Sequence, residues 1–400
     1  MPRLLQLNVT ANWGSTGKIA EGIGLAAMAR GWESAIAYGR YMNPSQSRLI
    51  KVGNQLDVYA HYAKNRFLDG EGLGSKRATR QLVKQIQELA PDIIHLHNIH
   101  DHWLNYPILF EYLASIDTPV VWTFHDCWAF TGGCMYFEIP PCDKWKRQCD
   151  KCPLRAGKID RSSRHFIERQ ALISKFGNRL TIVPVSHWLD EYIGESFLSD
   201  YNRLMIHNGV DTTKFRILGP NKNKPIVLGV ANVWDERKGL KDFIELRKKI
   251  PVEKAQIVLV GLSNAQIESL PEGIRGIAKT QNLQELIDLY NSASVLVNPT
   301  YADNFPTVNL EALACGTPVI TYRTGGSPEA IDERTGIVVE KGDVDSLVKS
   351  INEILLHPEN YDSGNCRSRA EKHFDKDIQF GKYIDLYEAL LSRKANVLDV

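Results

Sequence analysis

The chain is expected to be an α/β protein with two parallel-sheet domains. Three observations predict this. Its 400 residues exceed one core at about 150 residues per domain. Short β-rich runs alternate with amphipathic helical runs, the rhythm of βαβ units. That rhythm stops and restarts around the turn-rich Asn208-Gly209-Val210-Asp211.

In the first series, Leu4 to Val9 reads as a buried strand and Lys18 to Arg30 as a helix stopped by Gly31. Ser34 to Tyr38 is a second strand. Gln81 to Leu89 is helical up to Pro91, and Ile93-Ile94-His95-Leu96-His97 is a strand. Pro119 to Phe124 and Leu180 to Val185 complete the series. In the second, the near-continuous apolar run Pro225 to Val230 fits a strand covered on both faces. Gln256 to Val260, Ser294 to Val297 and Pro318 to Thr321 repeat it. Helical patterns occupy Leu240 to Lys249, Leu283 to Asn291 and Val344 to Leu355. The expected domains are 1–207 and 208–374, followed by a C-terminal helix in 375–400. No low-complexity segment or 20–50-residue repeat is visible, which excludes a solenoid.

Composition narrows the function. Hydrophobic residues make up 43% and charged residues 24%, as in a folded globular chain. The 48 Lys+Arg nearly balance the 47 Asp+Glu, for a net charge of +1. This balance argues against a strongly basic body that wraps nucleic acid and leaves a local basic patch open. No apolar run approaches the roughly 18 residues of a membrane span. The start, Met1 to Asn8, is too polar for a signal peptide. The expected compartment is the cytoplasm.

Five of seven cysteines lie between Cys127 and Cys152. The segment 132–164 also holds Pro140, Pro141, Pro153 and many charges, and reads as an insertion needing something other than a core to order it. Cys134, Cys142, Cys149 and Cys152 follow a C-x7-C-x6-C-x2-C spacing. Four thiolates suffice for a tetrahedral structural zinc; free thiols and disulfides are the other readings.

Gly14, Ser15 and Gly17 lie between the first strand and first helix, where free N–H groups attract phosphate. A P-loop is excluded by Asn12 and Ile19, which stand where it needs Gly and Ser/Thr. Gly22 to Ala27 matches a dinucleotide fingerprint but falls inside the helical run, which disfavours a nicotinamide dehydrogenase. His125 and Asp126 follow a strand end, where open α/β sheets place their chemistry, and the pair suits hydrogen bonding to a sugar. His97 ends a neighbouring strand, with His95 two residues before it. Arg237-Lys238-Gly239 offers a fork and a point charge for a diphosphate. The string Asn298 to Ile320 reads strand, loop, helix, Gly stop, strand. Thr307 is expected to cap the helix, with Asp303 just before it and Glu311 one turn in. Carboxylates suit vicinal diols, so the two can hold the ends of a nucleotide sugar around its diphosphate.

These residues resemble a family 4 glycosyltransferase of the GT-B fold, over nearly the whole length and most strongly from Asn208 to Glu329. The Ala312-Leu313-Ala314-Cys315-Gly316-Thr317-Pro318-Val319 run matches the family, and Asp303 to Glu311 has the spacing of its Glu-x7-Glu signature. Asp303 stands for the first Glu, and Asn232 occupies the usual position of the phosphate-binding Arg. The resemblance implies two Rossmann-like domains facing across a cleft. The donor binds the second domain, the acceptor the first, and the C-terminal helix returns to the first. Gly14, Ser15, Arg237, Lys238, Asp303, Asn304, Phe305, Pro306, Thr307 and Glu311 become donor-binding residues, with Glu311 the ribose ligand. His125, Arg237, Lys238 and Asp303 become catalytic. Gly325-Gly326-Ser327-Pro328-Glu329 and Asn208 to Asp211 match as supporting strings.

The implied reaction is retaining transfer of a sugar from a UDP- or GDP-type donor to a hydroxyl, with no protein nucleophile and no catalytic cofactor. The implied setting is bacterial surface polysaccharide synthesis, on a sugar or lipid-linked glycan acceptor at the inner membrane face, although no amphipathic basic helix is visible in the sequence. A nucleotide-sugar epimerase and a non-catalytic sugar-binding homologue are the alternatives.

Overall fold

The computed structural model describes residues 1–155, 157–219 and 224–398. Residues 156, 220–223 and 399–400, which fall in the expected insertion, second domain and C-terminal segment, lie outside the described residues. The chain divides into two compact units: Met1–His207 with the chain from Gln379 onward, and Asn208–Ile378.

The first unit holds seven parallel strands: β1 (Arg3–Asn8), β2 (Glu33–Tyr38), β3 (Arg48–Lys51), β4 (Ile93–Leu96), β5 (Val120–Phe124), β6 (Leu180–Pro184) and β7 (Asn202–Arg203). Their order is β3-β2-β1-β4-β5-β6-β7. The crossovers are α1 (Gly14–Ala29), α2 (Gln55–Leu68), α3 (Lys76–Leu89), α4 (Tyr106–Ala114), α5 (Ser162–Ile173) and α6 (His187–Gly194). The near-continuous burial of β1, β4, β5 and β6 follows from helices on both faces. The paper fingerprint Gly22 to Ala27 lies inside α1, where Gly22 packs under Phe380.

The second unit holds six parallel strands: β8 (Ile226–Val230), β9 (Gln256–Val260), β10 (Ile274–Ile277), β11 (Val295–Asn298), β12 (Val319–Tyr322) and β13 (Gly336–Val339). Their order is β10-β9-β8-β11-β12-β13. The helices are α7 (Leu240–Lys249), α8 (Asn264–Glu268), α9 (Leu283–Ser292), α10 (Thr307–Ala314), α11 (Val344–Leu356) and α12 (Ser363–Phe374). Each sheet begins 3-2-1-4-5-6 in its own numbering, the Rossmann order, with a switch point between its first and fourth strands.

The last helix, α13 (Lys376–Leu398), carries Phe380, Tyr383, Ile384 and Tyr387 into the first unit's core, against Ile19, Ile23, Ile93 and Val121. The insertion differs from expectation because it has its own aromatic core. Phe137 and Trp145 are buried and pack with Phe130, Trp188 and Tyr192. It also ends sooner, since α5 begins at Ser162.

α2 was not anticipated. His61 is its only buried residue. Leu56, Tyr59 and Phe67, on one outward face, are 77%, 60% and 71% exposed. No helix among the described residues is long and apolar enough to cross a membrane.

Candidate active site

The switch point of the second sheet lies between β8 and β11, and the segments leaving these two strands carry Arg237 and Lys238 after β8 and Asp303 to Pro306 after β11. After β8 the chain makes a short turn over Glu236–Lys238, where Asp235 accepts from the Lys238 backbone N–H at 3.2 Å. Gly239 then takes φ 74°, and a Cβ there would meet the Pro299 carbonyl at 2.3 Å. Only glycine fits this close approach, which sets Arg237 and Lys238 beside the loop after β11. The Tyr301 N–H donates to the Arg237 carbonyl at 2.7 Å. Arg237 Nη1 donates to the Ala302 carbonyl at 2.9 Å.

Asp303 is gathered into this pair. Its Oδ2 lies 2.6 Å from Lys238 Nζ and 3.8 Å from Arg237 Nη1, with all three side chains half-buried. Behind it, Gly325 has φ 53°, and a Cβ there would stand 1.6 Å from the Asp303 carbonyl. The Gly326 N–H donates to the Asn304 carbonyl at 3.1 Å. Asn208 Nδ2 donates to the Phe305 carbonyl at 3.0 Å. Both family strings thus brace the loop from Asp303 to Pro306.

Thr307 does not cap α10. It is the first helical residue, and Pro306, which has no side-chain donor or acceptor, is the N-cap. The extended Pro306 backbone enters the helix directly, so the first N–H groups receive no cap from that side chain. Such a helix start favours an anion. One turn on, Glu311 Oε2 accepts from the Tyr290 hydroxyl at 2.8 Å. Burial, followed by Glu311 itself, raises the phenol well above its ordinary range. No local sequence pattern signals Tyr290 as this partner.

In the first unit, Gly14 and Ser15 open α1 after β1, and again no side chain caps the helix. His125 follows β5 and is half-buried. Enclosure lowers its pKa to about 4, with Asp126 pulling upward and His100 downward. Asp126, expected to act beside His125, has protein partners of its own. Its carboxylate turns to His100 Nε2 at 2.8 Å and to the Trp128 N–H at 2.9 Å. Burial works against charge on His100, yet Asp126 and Asp101 hold it well above its ordinary value. His125 instead meets His97, with His125 Nε2 3.1 Å from His97 Nδ1.

The four insertion thiols interact electrostatically in all six pairs. Burial pushes Cys134 up to about 11 and Cys149 to about 12. The Gly132 N–H donates to Cys149 Sγ at 3.1 Å. The four sulfurs do not all stand within 4.8 Å of one another, whereas bonds of about 2.3 Å to one tetrahedral zinc need them about 3.8 Å apart. None of the four is joined in a disulfide.

Two Rossmann-ordered units, the second with paired cations beside a helix start at its switch point, define a glycosyltransferase of the GT-B fold class. A family model described as Glycosyl transferases group 1 matches residues 210–373, and one described as Glycosyltransferase Family 4 matches residues 21–214. The putative colanic acid biosynthesis glycosyl transferase WcaC of Escherichia coli (strain K12) is 25% identical over 390 residues, spanning 86% of this chain and 89% of that one. Sucrose-phosphate synthase from Thermosynechococcus elongatus superposes with a TM-score of 0.74 at 19% identity, over 98% of this chain and 100% of its own. Anabaena HepE in complex with UDP-glucose gives 0.67 at 12% identity, over 97% and 99%. Both structural likenesses bear on the fold. The chain belongs to glycosyltransferase family 4.

Proposed function

We propose that this enzyme transfers a sugar, with retention, from a nucleoside-diphosphate donor of the UDP or GDP type to a hydroxyl of a sugar or lipid-linked glycan, in the synthesis of a bacterial surface polysaccharide. One observation carries the donor assignment: Arg237, Lys238 and the start of α10 converge at the second sheet's switch point, with Glu311 one turn into that helix. Departure of a nucleoside diphosphate develops negative charge, and fixed cations with unpaired N–H groups stabilise such charge. Glu311 would take the ribose diol. Asp303 would hold Lys238 in place and reach the donor sugar. His125 would meet a hydroxyl of the reacting sugar.

The name of the WcaC relative supports a surface-polysaccharide setting, and UDP-glucose in HepE supports a UDP-type donor. The outward face of α2 supports peripheral contact with the inner membrane face. For the insertion we propose a structural zinc held by Cys134, Cys142, Cys149 and Cys152. Support comes from the four thiols carried by one short segment and the N–H donated to Cys149; the ion would have to draw the sulfurs together.

A thermal-shift screen of nucleoside diphosphates and nucleotide sugars tests the donor. A ligand at 100 times its Kd adds about 2.7 kcal/mol of stability. Product release from the best donor then identifies an acceptor. No shift with any uridine or guanosine diphosphate compound overturns the donor assignment.

A further inference from the structure

We infer that Gln6 and His97 are positioning residues that fix the tautomer of His125, keeping its proton on Nε2 and its Nδ1 unprotonated. The effect on turnover rests on the proposed role of His125; the tautomer does not.

The Ala20 carbonyl can only accept, and Gln6 Nε2 lies 2.7 Å from it. The Gln6 amide is therefore oriented, and its oxygen is the atom 3.0 Å from His97 Nε2. An amide oxygen can only accept, so His97 Nε2 carries a proton. Burial, reinforced by His95 and His125, drives the His97 pKa well below its ordinary value, so the ring is neutral. His97 Nδ1 then holds a lone pair, and His125 Nε2, 3.1 Å away, donates to it. The two rings lie within 18° of parallel. A neutral imidazole carries one N–H, which leaves His125 Nδ1 unprotonated.

The relay is braced on its inner side. Trp122 Nε1 donates to the His97 carbonyl at 3.0 Å. His95 packs against His97 with ring centroids 4.0 Å apart and planes tilted by 37°. The Thr123 hydroxyl donates to Tyr383 at 3.1 Å, so its oxygen accepts from His95 Nε2 at 2.8 Å. His95 Nδ1 then accepts from the Tyr387 hydroxyl at 2.6 Å. The hydrogen bonds Tyr387–His95–Thr123 and Ala20–Gln6–His97–His125 are mutually compatible. Gln6 pairs in register with His95, so one strand pair aligns the whole set.

Nitrogen-15 imidazole spectra of the full chain, with His125 assigned by its loss in His125→Asn, read the tautomer without turnover. At pH 7 His125 and His97 should both be neutral and protonated on Nε2. In Gln6→Glu the carboxylate draws a second proton onto His97, Nδ1 becomes a donor, and the His125 proton moves to its own Nδ1. Turnover at saturating donor should then fall about tenfold, the loss of one aligned hydrogen bond, with a smaller change in donor KM. His97→Asn, which can return an amide oxygen to accept from Nε2, should keep the native tautomer. A wild-type His125 protonated on Nδ1, or an unmoved His125 signal in Gln6→Glu, overturns the inference. Should that variant not fold, the wild-type spectrum alone decides. An Nε2–H signature in a chain that transfers no sugar overturns the functional proposal instead.

Discussion

The Lys238 ammonium and the Asp303 carboxylate, 65 positions apart in sequence, meet at 2.6 Å beside the start of α10. A half-buried pair of this kind contributes little to stability. Its geometry holds a cation beside the loop that leads into α10, where a phosphate would exchange with the carboxylate. Lys238→Ala should therefore lower turnover about 10²–10³-fold, the cost of losing one charge-stabilising donor, with the unfolding midpoint nearly unchanged. Steady-state kinetics beside thermal unfolding check this. Wild-type turnover in the variant would remove Lys238 from the site.

Glu311 is held by the Tyr290 hydroxyl. That hydrogen bond aims one carboxylate oxygen and leaves the other's orientation fixed with it. Glu311→Ala should weaken binding of free nucleoside diphosphate about 10–100-fold, the range for a charged hydrogen-bonding group. Tyr290→Phe should weaken it less. Titration calorimetry measures both, and equal affinity in wild type and Glu311→Ala refutes the ribose role.

Much of the fold was legible because apolar periodicity reports burial. Leu240 to Lys249 is α7 residue for residue, since Phe243 and Leu246 face the core and Gly239 punctuates its start. α2 was invisible for the opposite reason: with only His61 buried, it has no inward stripe. β7, two residues long, is below any pattern. In the site, the string from Asn298 to Ile320 exposed its loop and helix because each step has a local residue signature. The partners did not. Asp126 looked like a neighbour for His125, but tertiary contact gives it to His100, 26 positions upstream. Gln6 and His97 are 91 apart.

Gly325 tests how tightly the donor loop is braced. Its left-handed backbone costs a side chain about 1–2 kcal/mol, and the added Cβ would stand 1.6 Å from the Asp303 carbonyl, which is backbone and cannot swing away. Gly325→Ala should therefore displace Asp303 and lose donor binding even where the chain still folds. Circular dichroism with calorimetry separates the two effects. Undiminished donor affinity would mean the brace is dispensable.

For the insertion, elemental analysis of untagged protein should find about one zinc per chain, and Cys149→Ser should lower it. Cys149 is the informative position because it is buried and already accepts the Gly132 N–H. Zinc-free protein with four titratable thiols would sink the proposal and leave the aromatic core around Trp145 as what orders the segment.

The histidine cluster makes a signed prediction about pH. Enclosure lowers His125 to about 4, and burial lowers His61 to about 4 and His95 and His97 below their ordinary value. Between about pH 6.5 and 4 an unfolded histidine holds a proton that these folded rings refuse. The unfolded state then binds more protons, so stability rises with pH through that window and is lost as pH falls through it. His100 runs the other way: its pKa is raised in the fold, so its contribution is complete below about 6.5 and disappears as pH climbs through the raised value. The unfolding midpoint should therefore drop on acidification from pH 6.5 to 4. His125→Asn should flatten that slope by removing one refused proton. A wild-type midpoint equal at both ends would mean that the rings accept protons within the fold, and the neutral relay from Gln6 to His125 could not then stand.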